Sequence, residues 1–217
     1  MRISRKVAAL AVVGVFACTG VAFALVANYQ FKDGNGNVVP SGTFGENFGV
    51  KDDGGITLTV AGGAATNTCH FQITGQVVNN DGSGTLRALL PGHVFYGCDH
   101  ATVTAQGNWS LTVGQNQKGP VKTHLNYADV LLHLGGGVAC EFKGNGAASG
   151  GPVITMTNGG DVSSGGAATT GVVSGGFTRV DSTYNQTCPF PVGTPATASG
   201  NVVISASSNA TDNLTIH

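Results

Sequence analysis

The chain has 217 residues, of which 35 are Gly, 41% are hydrophobic and only 10% are charged, with a formal net charge of −1. Since an average soluble domain has about 25% charged residues, this composition excludes a nucleic-acid binder that depends on a basic patch, and its apolar content excludes a chain kept disordered by charge. The glycines follow no three-residue period, which excludes collagen.

The N-terminus has the pattern of an export signal. Three basic residues within the first six precede an uncharged run over residues 7–27, and Ala-Phe-Ala at 22–24 fits the small-x-small cleavage pattern. We expect residues 1–24 to be a signal peptide cleaved after Ala24, with a second possible cut after Ala27. An uncleaved membrane anchor and a lipoprotein acylated at Cys18 are the alternatives. All three place the body of the protein outside the cytoplasm and limit membrane contact to the export segment.

Residues 25–54 are predicted to form an extension that contains a β-hairpin. Its turn is Asp-Gly-Asn-Gly-Asn at 33–37, because Asp-Gly and Asn-Gly tolerate the positive φ of tight hairpin turns. Asp33, Asn35 and Asn37 also have the oxygen spacing of a calcium loop. The loop's sixth and twelfth positions should be Gly and Glu but are Val and Phe here, so the hairpin fits better. These three residues are the best metal candidate, and no cofactor is predicted.

From residue 55 to the end at 217, short runs of alternating apolar and polar residues indicate half-buried strands. They occur at 56–60, 71–73, 109–113, 130–134, 153–156 and 202–206. Gly-, Asn- and Asp-rich turns separate these runs, and no stretch has a sustained helical period. We therefore predict an all-β domain over 55–217, an antiparallel sandwich or barrel built from strands of about 5 to 8 residues.

A weak internal repeat relates residues 55–76 to residues 128–147. In each segment an alternating strand is followed by a Gly-rich link and then by Cys-x-Phe, as Cys69-His70-Phe71 and Cys140-Glu141-Phe142. The repeat divides the domain into halves at about 55–127 and 128–207. The period of two along a strand places each Phe on the buried cysteine side, and His70 and Glu141 on the opposite face.

The cysteine count predicts two disulfides. Loss of Cys18 with the export segment leaves Cys69, Cys98, Cys140 and Cys188, an even number in an exported chain. Four cysteines allow three pairings. The repeat favours Cys69 with Cys98 and Cys140 with Cys188, because each pair then joins neighbouring strands within one half.

The order of these cysteines resembles that of a known group of proteins. Together with Asn108-Trp109-Ser110-Leu111 between Cys98 and Cys140, it is similar to a widespread group of secreted bacterial proteins, many of them actinobacterial. It is also similar to the PraB type, described as an activator of alkane oxidation. The resemblance covers about residues 55–207. It implies an extracellular β-sandwich linked to the cell surface or biofilm, and it supplies no catalytic residue.

No pattern in the sequence indicates an enzyme. There is no Gly-x-Ser-x-Gly nucleophile elbow, the carboxylates are scattered, and the six histidines include no tight metal-binding pair. The densest cluster is Asp99-His100 with His93, which is best interpreted as loop residues beside a disulfide. Trp109 is best interpreted as a core anchor. Its alternative role is a carbohydrate-stacking platform that Tyr96 and Tyr127 could join.

We therefore predict a secreted structural or interaction protein of the bacterial cell exterior, not an enzyme, that self-associates as a surface, biofilm or filament component. Strands 56–60, 130–134 and 202–206 carry few charges and are predicted to be edge strands open to strand addition. The segment 29–31 is a candidate donated strand. The alternatives are a module that binds carbohydrate or a hydrophobic surface and, third, a hydrolase. Nucleic acid is not a predicted partner.

Overall fold

The computed structural model describes residues 30–33, 35, 37–41, 48–80, 86–113, 121–146, 150–159, 167–181, 187–205 and 214–216. The predicted export segment, including the cleavage position at Ala24, lies outside these residues. Within the described residues, no helix is both long enough and apolar enough to cross a bilayer.

The described residues form β-strands joined by turns, which confirms the all-β prediction. The strands are β1 (Phe31–Asp33), β2 (Phe48–Val60), β3 (Ala65–Asn79), β4 (Leu86–Tyr96), β5 (Thr102–Gln106), β6 (Trp109–Val113), β7 (Val121–Asn126), β8 (Asp129–Gly135), β9 (Val138–Gly144), β10 (Val153–Gly159), β11 (Ala167–Arg179), β12 (Pro195–Ser205) and β13 (Leu214–Ile216).

Eight antiparallel strands close into a barrel in the order β2, β3, β4, β6, β7, β10, β11, β12, because β12 returns to pair with β2. β5, β8 and β9 continue three of these strands. β5 leads into β6, β7 into β8 and β9 into β10, while β5 pairs with β8 and β8 with β9. The long strand β11 pairs with β10 along one half and with β9 along the other. The chain therefore runs up and down around one barrel. Three adjacent strands of the barrel are each interrupted along their length, and their two parts are β5 and β6, β7 and β8, and β9 and β10.

Side chains from alternate positions fill the barrel. The largest fully buried ones include Phe142, Ile73, Leu90, Leu111 and Ile154, contributed by five different strands. An apolar interior cavity of about 70 Å³ remains. This filling is expected, since an eight-stranded barrel is just wide enough for its own side chains or one small ligand.

Both predicted disulfides are confirmed. Cys69 on β3 bonds Cys98 just after the neighbouring β4, and Cys140 on β9 bonds Cys188 after the neighbouring β11. Phe71 and Phe142 are buried, as the period of two predicts. His70 is exposed. Glu141 lies on the outer face with Lys143, although its own side chain is buried.

The prediction that 56–60, 130–134 and 202–206 are edge strands is wrong. β2 is paired with β3 and β12, β8 with β5 and β9, and β12 with β2 and β11. The physical reason is that strands on both sides pair with each of them, and the pairing of β12 with β2 in the closed barrel leaves neither of these two at an edge. Strand length was also underestimated, because β2 has 13 residues and β3 has 15, and the predicted boundary at residues 54/55 falls inside β2.

The N-terminal segment is anchored on its own chain. β1 pairs with β13, and Phe31 is fully buried. The side chain of Asn80 accepts a hydrogen bond from Phe31 N at 2.7 Å and donates one to Phe31 O at 2.8 Å. Lys32 bridges to Val38 across the predicted hairpin turn.

Candidate functional site

A groove lies on the barrel surface where these three strands are interrupted, and we call it the waist groove. Its volume is about 490 Å³, within the range of small-molecule sites. It is lined by residues 106–108 at the junction of β5 and β6, residues 126–129 at the junction of β7 and β8, and residues 143–146 at the end of β9. The interruptions of three neighbouring strands thus form one concave site.

Tyr127 is the most exposed large hydrophobic side chain of the described residues, at 76% of its full accessibility. Its backbone is left-handed, with φ of 59°. Gly107 has the equivalent place in the β5–β6 link and has φ of 70°. A non-glycine residue in this region costs about 1–2 kcal/mol, because its Cβ approaches the following carbonyl oxygen. The fold therefore holds an exposed aromatic ring at a position suited to glycine, and such strain is typical of functional sites.

Amide side chains surround the tyrosine. Gln106, Asn108, Asn126 and Asn145 line the groove, and each amide can both donate and accept. Two of them are fixed by the barrel: Asn126 Nδ2 donates to Thr112 Oγ1 at 2.9 Å, and Asn145 Oδ1 accepts from the hydroxyl of a β11 threonine at 2.6 Å. The groove therefore combines a flat apolar surface with neutral hydrogen-bonding groups.

One charged cluster forms a wall of the groove. Asp129 and Lys143 are directly opposed on β8 and β9, and both line the groove. Lys143 Nζ lies 3.5 Å from Asp129 Oδ2 and 3.2 Å from Glu141 Oε1. Burial and, second, the adjacent Glu141 carboxyl raise the pKa of Asp129 to about 6, against the opposing effect of Lys143.

The two oxygens of Asp129 differ. Oδ2 faces Lys143, whereas Oδ1 is buried and accepts no hydrogen bond from the described residues. The Glu141 carboxyl could bond Asp129 only by sharing a proton, because two ionised carboxylates are both acceptors. Asp129 therefore faces the groove with the side of its carboxylate that lies beside Lys143, while Oδ1 is closed off from solvent.

Trp109 is a core residue, which confirms the favoured interpretation of it as a core anchor. Only 4% of it is exposed, and its indole N–H donates to Gln106 O at 3.0 Å. Its ring packs 5.0 Å from that of His93. The neighbouring Asn108, by contrast, reaches the waist groove. Of the tyrosines named with Trp109 for a stacking platform, Tyr127 lines this groove and Tyr96 does not.

The candidate calcium residues form the hairpin turn. Asp33 Oδ1 accepts hydrogen bonds from the backbone N–H groups of Asn35 at 2.9 Å and Asn37 at 2.8 Å, and Oδ2 accepts from Asn37 Nδ2 at 3.2 Å. The carboxylate is therefore engaged by the turn itself. Across the described part of the chain, no group of three or more His, Cys, Asp or Glu side chains is placed to hold a metal ion.

A second polar cluster lies on the outer face of β2 and β3, where β2 bulges. The buried Asp52 accepts hydrogen bonds from His70 Nδ1 at 2.7 Å, Phe71 N at 2.7 Å and Gly55 N at 2.8 Å. Burial by itself raises the pKa of Asp52, but these hydrogen bonds outweigh burial and leave the pKa lowered. His70 also stacks on Tyr96. This arrangement secures the bulge.

Comparisons of the chain with protein-family models, with curated proteins and with solved structures found no match. The resemblance to the PraB type therefore remains an expectation based on the cysteine order and Trp109. The case for a function depends on the geometry of the waist groove.

Several residues of the groove could not be identified from sequence. Asp129, Lys143 and the amide of Asn145 come from strands that meet only in the folded barrel. One signal was present: two-residue breaks interrupt the alternating pattern, as Gly107-Asn108 and Tyr127-Ala128, and the second break carries a bulky aromatic residue instead of glycine.

Proposed function

We propose that the protein is an extracytoplasmic saccharide-binding protein and that the waist groove is its binding site. The observation that supports this most directly is the 76% exposure of Tyr127 on a left-handed backbone. An aromatic ring offers an apolar face with a polar edge, which suits the C–H face and hydroxyl groups of a sugar. The surrounding amides supply donors and acceptors for those hydroxyls.

The extracytoplasmic location is supported by two kinds of observation. The two disulfides are stable in an oxidising compartment and rare in the cytosol. The basic, then uncharged, N-terminal segment ending in Ala-Phe-Ala fits an export signal. Both agree with a protein that meets glycans at the bacterial surface or in the medium.

Calorimetric titration of the mature protein with neutral oligosaccharides would test this proposal. Stacking on an aromatic ring contributes about 1–1.5 kcal/mol, so Tyr127→Ala should weaken binding about tenfold. Tyr96→Ala is the matched control, because Tyr96 is also exposed, at 45%, but lies outside the groove. Equal loss in both variants, or no loss in Tyr127→Ala, would contradict the assignment of the groove.

A second candidate function is self-association at the cell exterior, and the seam between β4 and β5 favours it. In the described residues, no ladder joins Gly92–Tyr96 of β4 to β5. The outer face of β4 exposes Val94 at 60% and Tyr96 at 45%, and β5 carries no charged residue. Exposed apolar residues beside an uncharged strand edge are suited to contact with a second copy.

Sedimentation velocity across a hundredfold range of concentration would test self-association. We expect oligomers in the wild type and their loss in Val94→Lys, which places a charge on this face. Val192→Lys is the control, because Val192 is equally exposed, at 59%, in the loop before β12. A monomer at every concentration would exclude this candidate.

A further inference from the structure

We infer that the waist groove selects a neutral saccharide through two adjacent hydroxyl groups, one donating to Asp129 and the other accepting from Lys143. This inference rests on the proposed saccharide-binding function and names the ligand class and the residues that recognise it. It concerns a part of the groove separate from the stacking surface of Tyr127.

The geometry supplies one acceptor and one donor side by side. Asp129 and Lys143 are a cross-strand pair at the adjoining ends of β8 and β9, and both line the groove. Asp129 Oδ1 is buried from solvent, so a ligand in the groove can meet this carboxylate only at Oδ2, the oxygen beside Lys143. The Asp129 side chain is 17% exposed, and a carboxylate oxygen can accept more than one hydrogen bond. A ligand hydroxyl that donates to Oδ2 would therefore lie next to the Lys143 ammonium.

Lys143 can serve both the protein and a ligand. Its ammonium lies 3.2 Å from Glu141 Oε1 and 3.5 Å from Asp129 Oδ2, longer than the 2.7–2.9 Å of a strong charge-assisted hydrogen bond. Lysine has three N–H donors, and the Lys143 side chain is 54% exposed. A donor therefore remains for the oxygen of a second hydroxyl, next to the one bound by Asp129.

The charge of the cluster selects against anionic sugars. The Lys143 ammonium already contacts the carboxylates of Asp129 and Glu141, so it presents no uncompensated positive charge to an anion. Gln106, which pairs with Asp129 from β5, is uncharged, and the other residues lining the groove carry no charge. A uronate would have to compete with these carboxylates for Lys143, whereas a neutral sugar needs only hydrogen bonds.

Binding should also depend on pH through Asp129. The ionised carboxylate is the acceptor, and its pKa of about 6 lies within the range of ordinary assays. Below that pH, Asp129 is protonated and can share its proton with Glu141, the other carboxyl beside it. Affinity for a neutral sugar should therefore fall as pH is lowered through about 6, with Lys143 remaining charged.

The test is calorimetric titration of the mature protein at pH 5, 6 and 7.5. The probes are neutral tetrasaccharides of glucose, galactose and mannose, with tetragalacturonic acid as the anionic counterpart. We expect at least one neutral probe to bind at least tenfold more tightly than tetragalacturonic acid. Asp129→Asn should weaken it about tenfold at pH 7.5 and remove the pH dependence. Lys143→Gln, a second variant, should also weaken it. The controls are Asp53→Asn and Lys51→Gln, exposed residues outside the groove.

The outcomes separate the two proposals. If the wild type binds no saccharide, the proposed function and this inference both fail. If a neutral probe binds and Tyr127→Ala weakens binding about tenfold, but Asp129→Asn has the wild-type affinity and pH profile, the function stands and this inference fails. Tighter binding of tetragalacturonic acid than of every neutral probe would also overturn the inference.

Discussion

Replacing Tyr127 by glycine should stabilise the protein while weakening its saccharide binding about tenfold. Removing the Cβ from the left-handed backbone at φ 59° should raise the free energy of unfolding by about 1–2 kcal/mol. Glycine loses more conformational entropy on folding, which offsets about 0.5–1 kcal/mol. Because the tyrosine side chain is mostly exposed, its removal sacrifices little packing. The net gain should be about 0.5–1 kcal/mol over the wild type.

Tyr127→Ala is the matched comparison, because alanine also lacks the ring but keeps the Cβ that causes the strain. Urea unfolding of the three proteins measures the difference. With a slope of about 2 kcal/mol per molar urea, the midpoint for Tyr127→Gly should lie about 0.3–0.5 M above the midpoint for Tyr127→Ala. Both variants should bind saccharide equally weakly. A glycine variant no more stable than the alanine variant would refute the claim that the fold strains this position.

Four further outcomes are expected from urea unfolding. Asp52→Ala should lower the free energy of unfolding by about 3 kcal/mol at pH 7, because it removes an acceptor shared by three donors. The stabilisation from the ionised Asp52 is present above the ordinary carboxyl pKa of about 4. It should be lost as pH falls through the lowered pKa of Asp52 in the folded state. Replacing Cys140 and Cys188 by serine should cost about 4 kcal/mol for their 48-residue separation. Trp109→Ala should cost about 3–5 kcal/mol as a core truncation. Asp129→Asn should stabilise by about 1–2 kcal/mol at pH 7.5 and leave stability unchanged near pH 3, because a carboxyl whose folded pKa is raised to about 6 destabilises the fold once ionised; a loss of stability at pH 7.5 would contradict this.

The strands and the disulfides could be predicted because their signals are local. Alternation at 56–60 and 130–134 identified parts of β2 and β8, and the matching Cys-x-Phe segments identified Cys69 and Cys140 as equivalent. What could not be read was how far the strands extend. β11 (Ala167–Arg179) begins in a Gly-, Ser- and Thr-rich stretch that lacks the alternating apolar residues of the other strands.

The candidate site was harder to predict because it depends on closure of the barrel. The β8–β9 hairpin register places Lys143 beside Asp129. The link between β5 and β6 reaches this pair only because β5 pairs with β8 in the folded barrel. Trp109 is the core anchor that the sequence favours, with its indole buried against His93. Tyr127 is one of the aromatic residues that the sequence offers for a stacking platform, but no local signal shows that its ring is exposed in a groove.

The most direct test of the proposed waist site is an NMR titration of the ¹⁵N-labelled mature protein, at pH 7, with the neutral tetrasaccharide that binds most tightly. We expect the backbone amide shifts that move to be those of residues 106–108, 126–129 and 143–146, the three breaks that line the groove. Shifts confined to the face around Val94 and Tyr96, or no shift with any neutral sugar at millimolar concentration, would contradict a saccharide site at the waist.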